Sequence, residues 1–171
     1  MSADYLIPGP VDVRTLDLLG AAVTGGFLLA PLGDAQRGLE RLRDDDMPGG
    51  ALRFILGAVR AVAGEGERPT PVTVAAHVQR AALLPESNWA HLGVLLVDLT
   101  GPDVCPAGQG ELARIPDLVT AAARRQIRVT AHQVLQALEE SPDADLRAVV
   151  PELGRDLWRA AQRIYAPEVA A

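Results

Sequence analysis

Three histidines, one cysteine and a run of three aspartates are the residues of this 171-residue chain best suited to chemistry, yet none stands at a spacing that chemistry uses. His77, His91 and His132 fall on three separate predicted helices, with no neighbouring Cys or His at zinc-ligand separation. Cys105 is the only cysteine, so no intramolecular disulfide forms. Neither it nor Ser87 has a nucleophile elbow or a paired base around it. Asp44, Asp45 and Asp46 are consecutive, which lacks the alternating oxygen pattern of a calcium loop and reads as a turn. The glycines of Gly64-Glu65-Gly66 and Gly108-Gln109-Gly110 have no strand in front of them. All sixteen basic residues are arginine, so a phosphate loop ending in Gly-Lys is impossible. The expectation is a chain with no catalytic residue, no cofactor and no metal site.

The densest basic group is Arg124, Arg125 and Arg128, which reads as a solvated helix face or a set of ion-pair partners. Net charge is −6 and the pI about 5.0. That balance argues against broad binding to a phosphate backbone, so no direct nucleic-acid contact is expected. Aromatics are scarce, with two each of Trp, Tyr and Phe. Asp4 stands where a signal peptide would be basic. No apolar run reaches the roughly 18 residues of a membrane span, and residues 92–99 are interrupted by Asp98. The expected setting is cytoplasmic, with no membrane partner.

The elements that carry these residues are helical throughout; no stretch alternates at period two. The strongest patterns lie in residues 111–165. Val119, Ala123, Ile127, Ala131, Val134 and Leu138 recur at steps of three and four, and Leu146, Val149, Val150, Leu153, Leu157, Ala161 and Ile164 do the same. The polar residues 141–145 separate them, which predicts an antiparallel hairpin. Beside the main stripe the first helix carries a second apolar set, Leu118, Ala122, Val129 and Leu135, and the second helix adds Trp158. Two helices have too little interior to bury both sets. Some of this surface is therefore expected to face a second copy, most simply in an isologous dimer.

Upstream, the reading is a small helical head of about five helices. Residues 1–12 form a loose tail, 13–110 the head, 111–165 the hairpin and 166–171 a second tail. A first helix from Val13 is expected to stop at Gly25-Gly26. A second over 34–42 takes Asp34 as N-cap and turns Ala35, Leu39 and Leu42 inward. The third, over 51–63, has the stripe Leu52, Ile55, Leu56, Val59 and Val62. Thr70 caps a fourth, with Pro71 at its first position, and Ser87 or Asn88 caps a fifth ending at Leu99. Residues 100–110, rich in Gly and Pro, form the best boundary. Pro116 suits a first helical turn, whereas Pro151 either kinks the last helix or marks its start near Val150.

This order of elements resembles the N-terminal domain of bacterial replicative helicases of the DnaB type, over about residues 15–165. The resemblance is densest in residues 46–78. Phe54-Ile55-Leu56-Gly57-Ala58-Val59 is similar to the family's apolar third helix. Gly66, Pro69 and Val72-Thr73-Val74-Ala75 are similar to its following Pro-Val-Asp-x-Val-Thr-Val segment, and Val119 and Arg124-Arg125 match a Val and a later Arg of its hairpin. The chain departs from the pattern at Met47 and Leu52, where the family has an aromatic and a His. It also has Asn88-Trp89 in place of a Gly-Gly. The family's ATPase domain has no counterpart in these residues. The resemblance implies an all-α, non-enzymatic, dimerising module that acts as adaptor or regulator around a replicative helicase or primase. The competing reading is a helical regulator or ligand-binding protein unrelated to replication, which predicts a monomer with an enclosed apolar pocket.

Overall fold

The computed structural model describes residues 10–140 and 143–165. The protein is all-α: among the described residues there are seven α-helices, three short 3-10 helices and no strand. The helices are α1 (Pro10–Leu29), α2 (Leu32–Glu40), α3 (Gly50–Gly64), α4 (Pro71–Arg80), α5 (Trp89–Thr100), α6 (Ile115–Glu140) and α7 (Asp143–Tyr165). They fall into two compact units. One is Leu16–Leu118; the other joins the start of α1 to Val119 and everything after it. The division thus falls inside the first turn of α6 and not in the glycine-rich segment before it.

In the first unit α3 packs against α2 and α4, and α4 against α5. Ile55, Leu56, Val59 and Val62 are fully buried along α3, while Leu52 is only half-buried. Gly49, at φ +95°, turns the chain into this helix in a conformation that L side chains rarely adopt. Ala35, Leu39 and Leu42 face inward as their spacing requires. Asp34 is not the cap of α2, because Pro31 holds that position; the carboxylate lies in the first turn and pairs with Arg37. At α4 the Thr70 hydroxyl accepts from the Thr73 amide at 3.2 Å, and Thr73 Oγ1 accepts from the Thr70 amide at 2.8 Å. Asn88 precedes α5 without a side-chain cap, its own backbone being part of a 3-10 turn over Glu86–Asn88.

The first helix overturns an expectation. It begins at Pro10, before Val13, and runs straight through Gly25-Gly26 to Leu29. Those glycines are contact points, not stops. A Cβ on Gly25 would stand 2.1 Å from the carbonyl oxygen of Leu99, and one on Gly26 3.2 Å from Cβ of Glu111. Only glycine lets α1 lie against the end of α5 and the segment after it. Gly38 serves α2 in the same way beneath the buried ring of Phe27. The true stop is supplied by Pro31 and by Arg68, whose guanidinium donates to the Leu29 and Ala30 carbonyls at 2.7 and 3.0 Å.

In the second unit α6 and α7 are separated by residues 141–142 alone. Pro151 neither starts nor ends α7, which continues from Asp143 to Tyr165 with the proline inside. Of the tail assigned to residues 1–12, residues 10–12 belong to α1 instead; residues 1–9, the tail 166–171 and the loop residues 141–142 lie outside the described residues.

Candidate interaction surface

The residues with chemical potential stay apart or are satisfied within the fold. Among the described residues no group of three His, Cys, Asp or Glu side chains is placed to hold a metal ion. His77 lies 3.3 Å from Glu65, whose other oxygen is 3.6 Å from Arg80, on the outer side of α4. Asp46 is fully buried, and its carboxylate accepts from the Arg43 amide at 2.8 Å, closing the 3-10 turn Asp44–Asp46. Cys105 is buried beneath α1 and donates to the Gly108 carbonyl at 3.2 Å and, more weakly, toward Ala22 at 3.7 Å. Burial first, and the nearby Glu111 carboxylate second, push its thiol above the ordinary range. A nucleophile needs the opposite shift.

Glu111 itself is a polar core residue that spacing alone did not single out. It is buried, accepts from the Ala107 amide at 3.2 Å and pairs with Arg114 at 3.2 Å. The one local sign was the Glu-x-x-Arg step inside a glycine-rich segment. Its role is to tie the 3-10 turns of Gly108–Arg114 under α1. Two open apolar hollows flank α5 and share His91 and Leu95. The larger, about 550 Å³, lies between Phe54 and Ala51 of α3, Leu92 of α5 and Asn88 just before it. Neither is enclosed.

The surface residues expected on the hairpin divide by exposure and by face. Leu118 and Ala122 are 0% and 4% exposed in the single chain, so they are not available to a partner. Val129 and Leu135 are each 38% exposed and Trp158 is 66% exposed. Val129 follows Ala122 at a step of seven and shares its face; Leu135, six residues further, lies about 120° round the helix. The set is therefore not one surface. Leu135 belongs to the outer side of α6, and Trp158 stands on α7 one turn beyond Gly154, which leaves open space beside it.

Burial along the pair is uneven. On α6 Ala122, Ala123 and Thr130 are buried, but no residue from 131 to 140 is. On α7 only Ala160 is buried among residues 146–164. Yet Leu138, Val149 and Trp158 are exposed there, and Val134, Val150, Leu153 and Leu157 half-buried. Among the described helices none is long and apolar enough to cross a membrane.

No protein-family model matches the chain, and no curated protein sequence matches it. Among solved structures it is similar to the crystal structure of the N-terminal domain of DnaB helicase from Mycobacterium tuberculosis. The TM-score is 0.65 at 24% identity, and the match covers 82% of this chain and 95% of that chain. At that identity the likeness is one of fold.

Proposed function

We propose that this protein is a non-enzymatic interaction module of the helicase N-terminal-domain type, which self-associates through its last two helices and serves as adaptor or regulator around a replicative helicase or primase. The observation that carries the reading is the apolar, uncovered end of α6 and α7, in a fold similar to the N-terminal domain of a DnaB helicase. Two helices with no buried residue over their distal halves gain little from packing on each other, and most helical stability in proteins comes from tertiary packing of an apolar face. A covering partner supplies the missing burial, and a second copy is the simplest one.

Sedimentation of the full chain over a micromolar dilution series tests the first half: a concentration-dependent dimer is expected, and a monomer at every concentration would sink it. Affinity capture with the tagged chain, followed by assay of the eluate for helicase and primase, tests the second. Neither enzyme being retained would remove the replication role and leave only a self-associating helical protein. The unrelated ligand-binding reading needs an enclosed apolar pocket, whereas the described hollows beside α5 are open to solvent.

A further inference from the structure

We infer that two copies pair along α6 in antiparallel fashion, about a two-fold axis between Ala131 and His132, so that Arg124 of each copy meets Glu139 of the other. The inference rests on the self-association proposed above and adds its register.

Three observations on the outer side of α6 converge. The first is spacing. Arg124, Arg128, Ala131, Leu135 and Leu138 follow one another at steps of four and three, the average of 3.5 residues that keeps a helical seam facing a partner helix. Arg124, Arg128 and Leu135 lie opposite the side buried by Ala122, Ala123 and Thr130, Ala131 and Leu138 of the main stripe lie at the edge between the two, and each of the five is exposed or half-buried. The second is the order of charge. Arginines occupy the early part of the stripe, while Glu139 and Glu140 close the helix with no basic residue in its last turn. Carboxylates at a C-terminus oppose the helix dipole, so the helix gains nothing from this order by itself. No acidic residue lies within one turn of Arg124 on α6, and neither Arg124 nor Glu139 takes part in a hydrogen bond or ion pair among the described residues.

The third is symmetry. An axis between Ala131 and His132 pairs each position with the one equidistant from it: Arg124 with Glu139, Arg125 with Leu138, and Arg128 with Leu135. The Arg124–Glu139 ion pair then forms twice, its two copies about 22 Å apart along the seam. The arginine stems lie over the leucines and carry their charged heads to the carboxylates at the edge. Ala131 at the crossing is small enough for the helices to approach. A parallel pairing would set Arg124 on Arg124 and Glu139 on Glu139, which like-charge repulsion rejects.

The test is a charge exchange in the full chain, read by sedimentation. Arg124→Glu and Glu139→Arg each place like charges opposite one another twice, and each is expected to raise the dimer Kd by about tenfold or more. Both positions are exposed, and an unchanged helical circular dichroism spectrum establishes that the variants fold. An equimolar mixture of the two variants restores opposite charges at both ends of the seam, so its heterodimer is expected within about threefold of the wild-type affinity. A wild-type dimer with unaffected variants, or a mixture no tighter than either variant alone, overturns the register while self-association stands. A monomeric wild type overturns both.

Discussion

At the scale of single residues the fold withdraws its one thiol from reaction. The Cys105 thiol is buried, donates to two carbonyls and sits beside Glu111. The folded protein therefore holds the neutral form. A thiol reagent at pH 8 is expected to label Cys105 only as fast as the chain unfolds; rapid stoichiometric labelling of native protein would contradict this. The raised value also has a sign for stability. The unfolded chain loses the thiol proton near the ordinary value of about 8.5, while the folded chain keeps it to higher pH. The contribution is thus fully present below about pH 8.5 and is lost as pH rises toward the folded value. Against Cys105→Ala, denaturant midpoints should run parallel below that pH, and the wild type should fall relative to the variant above it.

Elements divide into those whose partners are local and those whose partners are distant in the chain. The stripes of α3 and α4 were legible because burial at period 3.6 needs no knowledge of what covers the helix, and the Thr70 cap because its partner Thr73 is three residues away. The course of α1 was not legible. Whether Gly25-Gly26 ends a helix or lets one through is decided by the Leu99 carbonyl and by Cys105, far along the sequence. For the candidate surface, spacing did not tell exposed from buried positions: Leu135 and Trp158 are exposed, whereas Leu118 and Ala122 are buried within the single chain. Adjacent positions on α6 separate the two roles. Val134 is half-buried and Leu135 more exposed. Val134→Glu is expected to lower unfolding stability by about 1–3 kcal/mol. Leu135→Glu should instead leave the denaturation midpoint nearly unchanged and weaken self-association. Denaturant curves and sedimentation on the same samples distinguish them, and the reverse ordering would show that the two faces have been exchanged.

For the molecule as a whole, a net charge of −6 and a lysine-free composition agree with the absence of a phosphate-binding loop. Purified protein is expected to show no ATP turnover and no salt-sensitive binding to single-stranded or duplex DNA at physiological ionic strength. Turnover removed by a point substitution, or submicromolar DNA binding in a fluorescence titration, would contradict the module reading. One feature of α7 bears on how such a module behaves under load. Pro151 has no amide proton, so the Arg147 carbonyl lacks its helical donor, and Gly154 follows within a turn with nothing beside it. Bending stiffness is therefore lowest at that joint. Among residues 146–150 none is buried, while the segment toward Tyr165 is fixed at Ala160. Torque applied by a moving partner would be taken up as flexure at the joint, leaving the anchored segment in register.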